Sequence, residues 1–335
     1  MILKLIQVGL GGHGRGVGMN FVVPSADFEY AGLVDLDVKA LEGFAAQTGV
    51  PDEQLYTDYK KAFRELSADA VLIVSISPTH YEICKAALEN NLHVLVEKPF
   101  VLTLQEAEEL VELAAMKKRN IMVDQNYRFF STVLTLKKAI KERSLGKLRF
   151  VHSQFFCDHD GKAYQRAMDN YTLLEMAVHH VDMIRFLLDS NIARVSGATW
   201  NHPDSAYQGD PHVSAVYETD TGIPVFYVSS LMAKGIRQPW EGIWRFQFEQ
   251  GSVHLDDLGE GYGVYVIDAN QTLTKVSAYV PEYESIHGVL SEFAQSIKEQ
   301  REPSTSGRDN LHTLAALLAT SHSSREQKTV QVSRK

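Results

Sequence analysis

KLIQVGLGGHG, residues 4–14, is the stretch on which the reading of the fold turns. Its first half is a short apolar run of the kind that forms a buried strand. Its second half sets Gly9, Gly11 and Gly14 in G-x-G-x-x-G spacing, with Gly12 and His13 inside the same loop. In a dinucleotide-binding turn each glycine has a separate task. Gly9 would permit the tight turn, Gly11 would let the backbone approach a pyrophosphate, and Gly14 would allow the following helix to pack close to the strand. The helix N-terminus would add N–H donors and positive potential. Glycines also serve ordinary turns, so the spacing gains its weight from the strand before it and the helical pattern after it.

The segments downstream follow the same logic. FEYAGLVDLD is a second strand, ending at Asp35 about 20 residues on, where an acid accepts from ribose hydroxyls. Asp37 adds negative charge and no Arg follows Asp35 directly, so a 2′-phosphate would be repelled. The expected cofactor is NAD rather than NADP. DAVLIVSIS, LHVLVE and NIMVDQN read as further strands, with helical patterns between them. Thr103 and Glu106 form a capping box at the start of one such helix. Strand–helix alternation over 1–125 predicts a doubly wound parallel sheet, a Rossmann dinucleotide-binding domain. Beyond 126 the rhythm changes. A helix over 131–146 leads into the strand KLRFVHSQFFC and a polar loop at 158–170. Consecutive strands then fill 192–280, and helices near 284–300 and 308–323 close the chain. This predicts an α+β domain over 126–335 with a mainly antiparallel open sheet, for substrate binding and oligomerisation. Its strands outnumber the helices able to cover both faces, so a homo-oligomer, dimer or tetramer, is expected.

Composition narrows the partners. The 335 residues are 44% hydrophobic and 22% charged, with a net charge of −9. That balance disfavours a nucleic-acid surface. Cys84 and Cys157 make neither a disulfide framework nor a zinc motif. No apolar run reaches the roughly 18 residues of a membrane span, and the N-terminal run is too short for a signal segment. A cytoplasmic protein with no membrane partner is expected.

A second stretch, LLEMAVHHVDMIRFLLD at 173–189, raises the question of chemistry. At about 100° per residue, Glu175, His179 and Asp182 share one helical stripe, and Ala177, Val181, Ile184 and Leu188 the opposite one. His180 points roughly 100° away from His179. Taken alone, the stripe fits a solvated face with an i,i+4 pair, a catalytic stripe or a metal site. VEKP at 96–99 ends a predicted strand on the edge where open α/β sheets place ligands. Lys98 there could equally be a solvated lysine beside a turn proline.

The combination of GLGGHG, Asp35, SPTH at 77–80, EKP at 97–99, QNYRF at 125–129 and the 175–182 stripe resembles the Gfo/Idh/MocA family of nicotinamide-dependent oxidoreductases, over nearly the whole chain. The resemblance implies that Glu97 lies near the nicotinamide ribose, with Lys98 touching both substrate hydroxyl and nicotinamide. It implies that Lys98–Pro99 is often cis, that Ser77, Pro78 and His80 line the cofactor crevice, and that Asn126 sits near the nicotinamide. His179 falls on the family's catalytic acid/base, Glu175 replaces the usual Asp, and Asp182 matches an acid read as structural. His180 matches no catalytic position and is read as a packing or hydrogen-bonding residue. No metal is expected. The activity implied is reversible oxidation of a secondary hydroxyl on a sugar, an inositol-like polyol or a related small molecule. His179 would be the base, Lys98 would stabilise alkoxide charge, and Glu175 would orient His179 or bind a neighbouring hydroxyl. Tyr164 and Arg166 of the 158–170 loop would reach the substrate, Arg166 either as a clamp for a carboxylate or as a solvated loop residue. Trp240 fits a core position better than a sugar platform. An NAD-dependent glycosidase of the same family and a non-catalytic NAD-binding regulator are the rival readings. The Lys98 and His179 pair argues against the regulator.

Overall fold

The computed structural model describes residues 1–142 and 145–333. The helix expected over 131–146 crosses Arg143 and Ser144, which lie outside the described residues, as do Arg334 and Lys335. The chain forms two compact units, Met1–Asn126 with Glu282–Leu311 and Tyr127–Pro281 with His312–Lys335. The sequence alone predicts one domain over 126–335, but Glu282–Leu311 packs with the first unit for identifiable reasons. Phe293, on the helix Ser285–Lys298, stacks on Phe28 at 6.1 Å. The Asn120 amide donates to Ser296 Oγ at 3.0 Å and to the Arg301 carbonyl at 2.9 Å.

In the first unit, strands β1 (Leu3–Val8), β2 (Phe28–Val34), β3 (Leu55–Tyr56), β4 (Ala70–Ile73), β5 (His93–Val96) and β6 (Ile121–Val123) form a parallel sheet. Their order is β3-β2-β1-β4-β5-β6, the doubly wound order of dinucleotide-binding folds. The strands are mostly apolar, and apart from Lys4 and Glu29 their residues are buried or half-buried, as a sheet covered by helices on both faces requires. The register pairs Val8 with Val34 and with Ile73, Ile73 with Val96, and Val96 with Val123. The residues that follow, Gly9, Asp35, Val74, Glu97 and Asp124, therefore leave the sheet along one edge. Backbone bonds carry the row one step further, with Gly9 N donating to Val34 O, Glu97 N to Ile73 O and Asp124 N to Val96 O. The helix Leu104–Lys117 begins with the expected capping box, Thr103 and Glu106 each accepting from the other's backbone N–H.

The second unit is built on β7 (Leu148–Phe156), β8 (Ile192–Trp200), β9 (His212–Thr219), β10 (Pro224–Ser230), β11 (Ile243–Phe248), β12 (Gly251–Asp257), β13 (Tyr262–Ile267), β14 (Leu273–Lys275) and β15 (Val330–Gln331). Among the described residues these make one sheet, ordered β14-β13-β12-β11-β7-β10-β9-β8-β15. Every pairing is antiparallel except β7 with β10. Alternate residues point inward, as period-two patterning demands. Val151, Phe155, Tyr217, Trp244 and Phe246 are fully buried against Val133 and Leu136 of the helix Ser131–Glu142 and Val181 and Ile184 of the helix Val178–Leu188. Among the described residues, no helix is long and apolar enough to cross a membrane.

Candidate active site

The glycine loop owes its shape to close approach. Gly9 has φ +96°, a left-handed conformation that favours glycine, and a Cβ there would lie 2.6 Å from the Val74 carbonyl oxygen. A Cβ on Gly14 would lie 2.2 Å from the Gly9 carbonyl oxygen, so the helix that begins at Gly12 sits directly on the strand end. Gly11 differs, because a Cβ there would meet nothing within 4 Å. It is exposed, as are Gly12 and His13. Gln7, a polar residue buried inside an apolar strand, pins the loop by donating to the Gly14 carbonyl at 2.8 Å and the Gly9 carbonyl at 3.2 Å. Tyr30 donates back to the Gln7 amide oxygen at 2.7 Å. Asp35 accepts from Leu10 N at 2.6 Å and Asp37 N at 2.9 Å. A carboxylate has about four acceptor sites, so those two bonds leave capacity for ribose hydroxyls.

Further along the same edge stand Ser77, Glu97, Lys98, Asp124, Gln125 and Asn126. Lys98–Pro99 is cis. Ser77 begins the short turn Ser77–Thr79, in which Pro78 lies. Glu97 is buried, 2.8 Å from His13 Nε2, and accepts from Lys98 N at 3.1 Å. Asp124 is buried at the end of the strand paired with the one that leads into Glu97. Burial raises both carboxyls, but the two end on opposite sides of their ordinary values. The His13 bond, the His13 and Lys98 charges and the Asp124 bond bring Glu97 below the usual carboxylate range. Burial, then the charge and hydrogen bond of Glu97, hold Asp124 well above it. Ser77 Oγ, Asp124 Oδ1 and both polar atoms of the Gln125 amide are buried without a hydrogen-bond partner among the described residues. Such orphans are rare in folded proteins. Orphaned polar atoms beside an open glycine loop fit a dinucleotide, which offers both donors and acceptors.

His80 corrects an expectation. It was read as lining the cofactor crevice, yet it is fully buried, with Nδ1 2.9 Å from the Pro99 carbonyl and Nε2 3.2 Å from the Ser75 carbonyl. Burial lowers its pKa despite those bonds. It ties the loop after β4 to the turn after β5 and presents neither ring nitrogen to a ligand.

In the second unit, the helical stretch departs from a simple wheel. Leu173–Ala177 is a single π-helical turn, and the α-helix runs from Val178 to Leu188. π turns inside α-helices occur frequently at functional sites. No solvated face follows: His179, His180, Asp182 and Arg185 are all buried. Each polar group meets its own partner. His179 stacks on Tyr127 with ring centroids 4.0 Å apart and planes 7° from parallel. His180 is bonded through Nδ1 to Tyr227 Oη at 2.8 Å and through Nε2 to the Trp240 carbonyl at 3.0 Å. Burial holds the His180 pKa down to about 4, with only the Trp240 carbonyl opposing. Asp182 takes a bidentate bond from Arg128, both arms 2.6 Å, and a third from Thr313 at 3.0 Å. Glu175 is half-buried and accepts from Gln165 Nε2 at 3.1 Å.

The loop residues divide. Tyr164 and Arg166 lie on one helical turn, Ala163–Arg166. Arg166 was expected to clamp a substrate, but its guanidinium donates to the Gly161 carbonyl at 2.7 Å and pairs with Asp160, so it holds its own loop. A different cation is more open: Arg237 lies 4.0 Å over the Trp240 ring, and both are exposed. Sequence reasoning missed Gln7, Asp124, Gln125, Tyr127 and Gln165. Gln7 and Asp124 could have been found, because a polar residue within or directly after an apolar strand must have a buried partner. Tyr127 and Gln165 reach their partners only through the tertiary fold. Among the described residues, no group of three or more His, Cys, Asp or Glu side chains could hold a metal ion.

Comparison with known proteins agrees with this architecture. Residues 3–125 match the NAD-binding Rossmann domain of the Gfo/Idh/MocA oxidoreductase family, and residues 133–254 match that family's C-terminal domain. D-Apiose dehydrogenase of Paraburkholderia graminis is 24% identical over 323 residues, 91% of this chain and 83% of that one. Inositol 2-dehydrogenase of Rhodococcus erythropolis is 31% identical over 192 residues, 56% of this chain and 54% of that one. An oxidoreductase from Agrobacterium radiobacter, solved with NAD+, L-tartaric acid and magnesium, superposes with a TM-score of 0.89 at 21% identity, covering 99% of both chains. From the glycine loop to the second sheet, the chain is an NAD-binding oxidoreductase and belongs to the Gfo/Idh/MocA family.

Proposed function

We propose that the protein is an NAD-dependent dehydrogenase that oxidises a secondary hydroxyl of a sugar, an inositol-like polyol or a related small molecule, and runs in reverse on the ketone. The observation that carries this reading is the strand-end edge, where an uncovered glycine loop, Asp35, Lys98 and buried orphan polar atoms leave the sheet in one row. Gly9, Gly11, Gly12 and Gly14 would receive the pyrophosphate and Asp35 the ribose hydroxyls. Ser77, Pro78, Glu97 and Asn126 would border the nicotinamide end, with His13 supporting Glu97 from the glycine loop. Bound nicotinamide supplies the hydride acceptor or donor.

The chain's own residues do the rest. His179 takes the hydroxyl proton on oxidation and returns it on reduction. Its stacking on Tyr127 fixes the plane of the ring, and the neighbouring π turn fixes the start of its helix. Lys98 stabilises negative charge growing on the substrate oxygen. Glu175, steadied by Gln165, binds a neighbouring hydroxyl or orients His179. The apiose and inositol dehydrogenases among the relatives support a polyhydroxylated substrate.

A substrate panel read as NADH formation tests the reading. A rise in NADH with a polyol or sugar is expected, and NADH should bind more tightly than NADPH because Asp35 repels a 2′-phosphate. Cleavage of a glycoside without net NADH, or no turnover across the panel, would overturn it. We also propose self-association through the outward face of the second sheet, where Val216 and Phe226 are 40% and 42% exposed and Phe150 lies edge-on to Phe226. Sedimentation showing only monomer at micromolar concentration would contradict this.

A further inference from the structure

Asp124 is a carboxyl group for which the proposed chemistry has no task. Its position follows from the register. β5 and β6 pair Val96 with Val123, so the next residues, Glu97 and Asp124, leave adjacent parallel strands side by side. In parallel strands such neighbours project to the same face. Both are buried, and the register sets the two acids side by side at the end of the sheet. Two carboxyl oxygens can share a hydrogen bond only if one carries a proton, because like charges at that distance do not both ionise.

The surroundings say which one. Glu97 Oε1 meets His13 Nε2 at 2.8 Å, Glu97 Oε2 accepts from Lys98 N, and the Lys98 charge favours its anion. Asp124 Oδ1 is buried without a partner among the described residues, a poor setting for a negative charge. His80, whose ring nitrogens lie against the Pro99 and Ser75 carbonyls, has its pKa lowered by burial. The opposed shifts of the two acids agree with this assignment.

We propose that Asp124 is a positioning residue for Lys98: it keeps its proton, donates it to Glu97, and so holds Glu97 as a single negative charge anchored to the His13 ring and the Lys98 amide. Loss of that proton would put a second negative charge beside Lys98. The ammonium would then be drawn toward the pair and away from the substrate oxygen. This consequence rests on the proposed role of Lys98, whereas the shared proton rests on the geometry alone.

Infrared spectroscopy reads the proton without turnover. The protein at neutral pH should show the carbonyl band of a hydrogen-bonded neutral carboxylic acid that is absent from Asp124→Asn. Heavy carbon in the side-chain carboxyl of aspartate should shift the band, and the same label in glutamate should not. Absence of the band, or a band that follows the glutamate label, overturns the proposal. The kinetic arm compares two variants. Asp124→Ala should lower kcat by about 10-fold to 100-fold through misplacement of Lys98. Asp124→Asn, whose amide donates the same hydrogen bond, should rescue most of that loss and abolish a fall in kcat at alkaline pH. An alanine variant with full kcat across the pH range, or an asparagine variant as poor as alanine, overturns the positioning role. Should Asp124→Ala fail to fold, the alkaline limb of Asp124→Asn against the unaltered protein decides. If the unaltered protein turns over no alcohol, the proposed function fails and the infrared arm still decides where the proton resides.

Discussion

The two units build functional groups in opposite ways. In the first, the candidate residues are spread over the ends of separate strands and gathered by sheet register, and much of the work falls to backbone. Gly9 and Gly14 matter for the side chains they lack, and Asp35 and Glu97 accept from main-chain N–H groups. In the second, one buried helix carries the candidate groups in its side chains, and neighbours a single residue apart have unrelated surroundings. His179 lies flat on Tyr127, while His180 is locked between Tyr227 and Trp240. A site drawn from strand ends is announced by spacing. A site drawn from one helix is defined by what packs against each of its faces.

The contrast between the units is tested most severely at the two histidines. His179→Ala should lower kcat by roughly 10²–10⁴, the usual worth of acid–base catalysis, and leave NADH binding nearly unchanged. Fluorescence titration of NADH alongside steady-state rates checks both halves. A variant with normal kcat would remove proton transfer from His179. Lys98→Ala follows, with an expected loss of about 10²–10³ in kcat and retained NADH affinity. Turnover equal to the unaltered protein would put Lys98 outside the chemistry.

His180 should act on stability. Its folded pKa of about 4 lies below the roughly 6.5 of an unfolded histidine. Between those values the unfolded chain binds more protons, so this contribution is complete above about pH 6.5 and lost as pH falls toward 4, roughly 3 kcal/mol in all. Denaturant titrations of the unaltered protein and His180→Gln across that window should differ in slope. His180→Gln should also cost about 1–3 kcal/mol at neutral pH through broken buried hydrogen bonds. Parallel pH dependences would show that His180 is not the buried neutral group described.

The smallest effects sharpen the first unit. Gly14→Ala should cost about 1–3 kcal/mol of stability, because its methyl would collide with the Gly9 carbonyl and backbone cannot move aside cheaply. Gly11→Ala meets open space and should change stability by no more than about 0.5 kcal/mol, while weakening NADH binding. If both glycines behaved alike, in stability or in binding, the division between a packing glycine and an approach glycine would fail.

Features that depend on short-range patterning can be read from the chain directly. The glycine spacing, the apolar strands and the placement of Asp35 and Lys98 at strand ends all reach over a few residues. So does the shift in rhythm near residue 126. A strand buried on both faces and a turn that excludes Cβ leave local marks, so the doubly wound sheet and its ligand edge were legible. The contents of that edge and of the helix depend instead on long-range packing. The register of β5 against β6 sets Glu97 beside Asp124, 27 positions apart in the chain. Burial from several sides turned the expected solvated stripe into separate pockets, with Asp182 on Arg128 and His180 on the second sheet. It also turned His80 and Arg166 inward to hold loops. A helical wheel gives direction around one axis. Protonation, ion pairing and access depend on atoms that distant segments bring to that axis, and those are fixed only when the chain folds.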